Sequence, residues 1–188
     1  WEISGEFECT NCVEMGLRFE FARAVMQANA EMLEAIHRFK YQQALWLEPL
    51  FDRLFSGGAV KQIGDWRGDC LVPVPLHPVR LRERGFNQAE QLCRNLSRAT
   101  GLKVEIRAVK RTRVTQTQTL LSRGERLANM RGAFEPDKVN LNGMRVALVD
   151  DVLTTGATTS DCARACKKAG AAEVGVWTLA RGLGSPGH

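Results

Sequence analysis

Residues 146–159 read Val-Ala-Leu-Val-Asp-Asp-Val-Leu-Thr-Thr-Gly-Ala-Thr-Thr. The stretch begins with four consecutive apolar residues, Val146, Ala147, Leu148 and Val149. A run without polar alternation suits a strand buried on both faces of a sheet. Asp150 and Asp151 follow, where such a strand is expected to end. Next comes a hydroxyl-rich turn, Thr154, Thr155, Gly156, Ala157, Thr158 and Thr159, and then Ala-rich residues 161–169, which read as a helix. Thr158 or Thr159 is placed to be its N-cap. The first amides of a helix have no carbonyl partner inside it, and the helix dipole favours an anion there. Strand, turn and helix together therefore make a phosphate-binding device. Adjacent carboxylates repel each other and cost stability unless a cation or a polyhydroxyl ligand uses them. A bare strand–loop–helix connection has no need of that pair.

The stretch resembles the phosphoribosyl pyrophosphate (PRPP) signature of type I phosphoribosyltransferases. The resemblance implies that Asp150 and Asp151 accept hydrogen bonds from the ribose 2′- and 3′-hydroxyls. It also implies that Thr154, Thr155, Gly156, Ala157, Thr158 and Thr159 hold the 5′-phosphate through backbone N–H and hydroxyl donors.

A second motif lies upstream. Residues 70–76, Cys-Leu-Val-Pro-Val-Pro-Leu, are apolar, but two prolines forbid a ladder paired along their whole length. A strand that ends at a stiff loop facing a site fits them. Residues 77–88 then gather Arg80, Arg82, Arg84, Gly85, Asn87 and Gln88 at a strand-to-helix junction. The helix is expected over residues 88–100, with Leu92, Cys93 and Leu96 inward and Gly101 closing it. Arginine offers bidentate donors to phosphate oxygens, and glycine lets the backbone come close. A solvated basic loop is the plainer alternative. Val-Pro-Val-Pro-Leu-His at residues 72–77, with Arg84-Gly85-Phe86-Asn87-Gln88, resembles the ComF group of phosphoribosyltransferase-like proteins, linked to DNA uptake in natural competence. By that resemblance the stretch holds pyrophosphate, with His77, Arg80, Arg84, Gly85, Asn87 and Gln88 as site candidates. Arg84, Asp150 and Asp151 would be catalytic.

Residues 103–109 read as a strand with Val104, Ile106 and Ala108 on one face. Residues 110–134 are long, polar and basic, and they occupy the position of the flexible hood of type I phosphoribosyltransferases. Such a lid excludes water from an electrophilic ribosyl centre. Gln118, Leu121, Ser122, Arg126, Asn129 and Phe134 match the ComF pattern there. Residues 173–180 supply another strand, and the helix before it makes a β-α-β unit whose strands should be parallel.

Toward the N-terminus, residues 19–26 suit an edge strand, and residues 29–41 turn helical through Met32, Leu33, Ile36 and Phe39. The end of that helix, His37-Arg38-Phe39-Lys40-Tyr41, reads either as a basic turn complementing the dipole or as a functional element. A second amphipathic helix is expected over residues 45–55, with Pro49 in its first turn and Ser56-Gly57-Gly58 ending it. Cys9 and Cys12 form half of a structural zinc site, which needs four ligands. The chain opens on Trp1, so a trimmed N-terminus and a missing upstream half are expected.

The six cysteines lack disulfide-scaffold spacing, which suits a reducing cytoplasm; Cys162 and Cys166 read as small buried residues. No run approaches the roughly 20 apolar residues of a membrane span. Between Arg80 and Arg131 thirteen Lys and Arg face four Glu, a balance of +9, whereas the whole chain carries +5. The middle of the chain is thus suited to a polyanion. The expected fold is α/β and type I phosphoribosyltransferase-like: a mostly parallel central sheet flanked by helices, with a hood loop and a partial N-terminal zinc ribbon. Residues 1–28 would form the N-terminal segment, 29–181 the domain, and 182–188 a flexible tail. The implied function is transfer of phosphoribose from PRPP to an unknown acceptor in DNA uptake, with Mg²⁺ as cofactor and zinc in the full-length protein. The alternative is a PRPP sensor or scaffold that grips single-stranded DNA and DNA-uptake proteins. Histidines at 37, 77 and 188 form no triad pattern, and ribosyl transfer does not require one.

Overall fold

The computed structural model describes residues 16–42, 44–113 and 130–182. Cys9, Cys12, the tail from residue 183, and Gln118, Leu121, Ser122, Arg126 and Asn129 lie outside the described residues.

Strand β1 (Phe21–Ala28) leads into α1 (Ala30–Tyr41), whose N-cap Asn29 accepts from the Met32 amide at 2.9 Å. A 3-10 turn (Leu45–Leu47) opens α2 (Glu48–Trp66), with Pro49 in the first turn. Then come β2 (Cys70–Pro73), α3 (Pro78–Arg84), α4 (Gln88–Thr100), β3 (Lys103–Val104) and β4 (Val109–Arg111). Strands β5 (Phe134–Pro136) and β6 (Arg145–Leu153), helix α5 (Ala157–Lys168) and β7 (Glu173–Gly182) complete the described order.

Five strands form one sheet in the order β1-β7-β6-β2-β3, with every neighbouring pair parallel. β4 and β5 pair antiparallel as a separate two-stranded unit. The apolar run of β6 is buried from both sides, as its lack of alternation requires. Val146 and Leu148 pack with Val72, Val176 and the α5 residues Cys162, Ala163 and Cys166. Ala147 and Val149 face the other way, toward Leu71, Trp177, Phe55 and Ile63 of α2, and Leu92, Cys93 and Leu96 of α4. Cys70, Cys93, Cys162 and Cys166 are free and buried, so the cysteines of α5 are core residues. Among the described residues no helix is long and apolar enough to cross a membrane.

This topology creates a crevice. From β2 the chain runs through α4 outward to β3, and from β6 it runs through α5 in the opposite sense to β7. Because α4 and α5 lie on opposite faces, the carboxyl ends of β2 and β6 form a topological switch point, where open α/β sheets bind ligands.

Several expectations are corrected. α2 continues through Ser56-Gly57-Gly58 to Trp66, because its buried stripe of Phe55, Ala59 and Ile63 outweighs the two glycines. Gly58 is there for space: a Cβ on it would lie 2.8 Å from Val25 Cγ1 of β1. The strand expected over residues 103–109 is broken, since the Ala108 amide bonds back to Glu105 O at 3.2 Å in a turn. Ile106 is consequently 46% exposed while Ala108 is buried. Residues 78–84 wind into α3, capped by His77, whose Nδ1 accepts from the Val79 amide at 3.3 Å. The edge strand expected over residues 19–26 is present as β1, the outer strand of the main sheet beside β7.

Candidate functional site

β6 continues past its apolar run to Leu153, so Asp150 and Asp151 lie within the strand and not beyond it. α5 then starts at Ala157, with Gly156 as its N-cap at φ 79°, instead of Thr158 or Thr159. Only glycine takes that left-handed conformation at little cost, and it brings the helix two residues closer to the strand. The first-turn amides of such a helix point out of its end. A small open hollow lies at the turn, lined by Asp150, Val152, Leu153, Thr154, Gly156, Ala157, Thr158 and Thr159. The Thr155 hydroxyl accepts from the Ala157 amide at 3.4 Å, and the Thr159 hydroxyl donates to Gly156 O at 3.1 Å. Thr155 and Thr159 therefore brace the turn as well as face it.

The two carboxyls are in different surroundings. Asp150 accepts from the Asp151 amide, and Asp151 from the Val152 amide, each at 2.9 Å. Burial, and then the neighbouring Asp151 charge, push the Asp150 carboxyl up to about 8. Burial acts on Asp151 the same way, but the Lys40 ammonium outweighs it and holds that carboxyl below the usual range. Lys40, at the end of α1, forms an ion pair with Asp151 Oδ2. The pair at the strand end thus has its cation, and the chain itself supplies it.

The second motif adjoins the first across the switch point. Asn87 Oδ1 accepts from the Ala89 amide and its Nδ2 donates to Val74 O, both at 3.1 Å, so Asn87 ties the start of α4 to the end of β2. Gln88, only 3% exposed, accepts from Arg84 Nη1 at 3.2 Å. Arg84 Nη2 also donates to the Tyr41 hydroxyl at 3.0 Å, and the guanidinium lies 4.7 Å from that ring. Arg84 Nε and Gln88 Nε2 are buried without a protein partner. Gly85 closes α3 at φ 80°, while Arg80 pairs with Glu83 at 2.9 Å on the exposed side of that helix. Asp150 with residues 154–159 and Arg84 with Gln88 are thus brought to one crevice. His77 and Asn87 serve as helix caps.

Residues 81–188 match the family model for the phosphoribosyl transferase domain. The chain is 33% identical over 178 residues to Competence protein F of Haemophilus influenzae, covering 92% of this chain and 78% of that protein. The chain belongs to the ComF family. It is also 33% identical over 178 residues to DNA utilization protein YhgH of Escherichia coli K12, covering 93% of this chain and 78% of that one. Among solved structures, a purine phosphoribosyltransferase from Pyrococcus horikoshii is similar over 72% of this chain and 84% of that chain, at 17% identity and a TM-score of 0.45.

Three features of this ComF chain escape a reading of its motifs. Lys40 and Tyr41 sit in a basic helix end whose ordinary role is to complement the dipole, and no spacing links them to Asp151 or Arg84. Arg111 on β4 is mostly buried, which lowers its pKa; the Asp150 charge opposes that shift, and Arg84 and Arg80 reinforce it. Its guanidinium lies 5.4 Å from the Phe134 ring. The density of arginines over residues 110–134 signalled a cationic segment without marking this one. Finally, Asp161 of α5 accepts from the Gly132 and Phe134 amides, each at 3.0 Å, while Arg164 donates to Asp161 at 2.7 Å and to Phe134 O at 2.7 Å. The helix that follows the turn at residues 154–156 therefore also grips the chain entering β5.

Proposed function

We propose that this ComF chain binds PRPP with Mg²⁺ in the cytoplasm and transfers its phosphoribosyl group to an acceptor in the service of DNA uptake. The observation that carries this reading is the meeting, at one switch point, of Asp150 and the residue 154–159 hollow with a cluster of guanidinium groups. Hydroxyl acceptors, phosphate donors and diphosphate-binding cations are the three groups that PRPP requires. The relatives named for competence and DNA utilization support the biological role.

In this reading the α5 amides hold the 5′-phosphate, the Asp150–Asp151 pair orients the ribose, and Arg84 with Arg111 faces the diphosphate. The C1′–oxygen bond to pyrophosphate breaks, a bond from the acceptor to C1′ forms, and the acceptor releases a proton. The residues lower the barrier by positioning and by stabilising the leaving charge. Among the described residues no group of three or more His, Cys, Asp or Glu is placed to hold a metal. Mg²⁺ would come with the substrate, keep its oxygens and waters as main ligands, and neutralise the diphosphate. Zinc held by Cys9 and Cys12 with two further ligands is part of the same proposal.

Isothermal titration with PRPP and Mg²⁺ tests the site. The Asp150→Asn/Asp151→Asn double variant is expected to bind about tenfold more weakly or worse, the loss of two carboxyl acceptors of which Asp151 is the charged one. Undiminished affinity would remove the pair from the site. Pyrophosphate release on adding candidate acceptors supports transfer. Salt-dependent binding of single-stranded DNA with no release supports the sensor or scaffold reading, toward which the exposed arginines of α3 point.

A further inference from the structure

The last turn of α1 touches both halves of the site. Lys40 pairs with Asp151, with side chains only 20% and 13% exposed. One residue later Tyr41 accepts from Arg84 at 3.0 Å. Phe39 fixes the turn in place, edge-on to Phe86 at 5.2 Å and to Phe51 of α2 at 5.3 Å. The Gln42 amide closes the helix on Arg38 O at 2.9 Å. A turn pinned at so many points keeps the ammonium where it is.

That placement changes what the carboxyl pair prefers. Two adjacent carboxyls offer hard oxygens, the donors that a divalent cation takes. An ammonium seated on one of them repels a second cation, and the repulsion is strong where water is largely excluded. A hydroxyl group carries no net charge and meets no such barrier, while the remaining carboxyl lone pairs still accept its hydrogen bond.

We propose that Lys40 is a specificity-determining residue that reserves the Asp150–Asp151 pair for hydroxyl donors and keeps free divalent cations off it. A metal then enters only with a ligand that brings its own phosphate oxygens. Tyr41, by holding Arg84, sets the distance from the hydroxyl acceptors to the arginine. The identity of the hydroxyl donor as a phosphoribosyl compound rests on the function proposed above; the exclusion of free cations does not.

The test is titration of Mn²⁺ followed by electron paramagnetic resonance, with no phosphate compound present. The proteins compared are the wild type, Lys40→Met, Lys40→Arg and Lys40→Met/Asp151→Asn, each checked for folding by circular dichroism. Wild type and Lys40→Arg are expected to leave Mn²⁺ free. Lys40→Met is expected to bind it at least about tenfold more tightly, as loss of a contact charge implies, and the double variant should lose that gain. Lys40→Gln, which keeps a donor facing Asp151, takes the place of Lys40→Met should the latter not fold. A folded neutral variant with no gain in Mn²⁺ affinity overturns the proposal, as does wild type that binds Mn²⁺ as tightly as the variant. Titrating PRPP with Mg²⁺ into the same proteins separates the two ideas. Wild type that ignores PRPP sinks the proposed function, while a Mn²⁺ gain in Lys40→Met still supports cation exclusion.

Discussion

Asp150 holds a proton that an unfolded chain would release. Its folded carboxyl titrates at about 8 against an ordinary 3.8, first because it is buried and second because Asp151 is charged beside it. Between those two values the folded state binds one more proton than the unfolded state. Stability contributed by this group is therefore full below the ordinary value and is lost as pH rises toward 8. Asn at 150 keeps the shape and removes the titration. Urea unfolding of Asp150→Asn should show a flatter pH profile, and at pH 8.5 the variant should be more stable than wild type by about 1–2 kcal/mol. The same variant should bind PRPP less well. A gain in stability on removing this carboxyl would locate strain at Asp150.

Among the elements, α2 separates two glycines that look alike in sequence. Both sit in the helix interior, where glycine costs about 1 kcal/mol relative to alanine. A Cβ at Gly57 meets nothing within 4 Å, whereas at Gly58 it would sit 2.8 Å from Val25 Cγ1. Gly57→Ala should raise stability by about 0.5–1 kcal/mol in thermal or urea unfolding. Gly58→Ala should lower it by about 1–2 kcal/mol, and Val25→Ala should soften that loss in the double variant. The contrast also marks what sequence can convey. The β6–α5–β7 unit was legible because its signals are local: an unbroken apolar run, a turn glycine and an Ala-rich helix. The end of α2 was not, because Ser-Gly-Gly is a local stop signal, and the residues that bury Phe55, Ala59 and Ile63 past it lie elsewhere in the chain. The Lys40–Asp151 pair has the same character. Each residue has an ordinary local reading, and only the fold places them together.

On the scale of the whole molecule, the small β4–β5 unit is joined to the main body through α5. Asp161 takes two amides from that side and the Arg164 guanidinium from its own helix, and these bonds outweigh burial and hold its carboxyl below the ordinary range. Its contribution is therefore present above pH 4 and is lost as pH falls through the lowered value. Asp161→Asn should cost about 2–4 kcal/mol at pH 7, since the Gly132 and Phe134 amides and Arg164 all lose a charged acceptor. The gap from wild type should narrow in melts at pH 3. Hydrogen exchange should show faster exchange in β4 and β5 in the variant, with β6 and β7 little changed. The fold class was legible at this scale because composition, parallel strand order and the two loop motifs agree. The attachment of β4–β5 was not, since it depends on backbone amides that carry no sequence signature.

β1 lies against β7, and the Glu20 carboxylate takes the Val174 amide at 2.7 Å across 154 residues of chain. During synthesis β1 therefore waits without its strand partner until β7 has been made. So distant a pairing closes late and slowly, because the loop entropy is lost before any contact rewards it. The interval is one in which an apolar edge is open to other nascent chains. In the cell, the yield of this protein should depend more on chaperone supply than on the stability of the finished sheet.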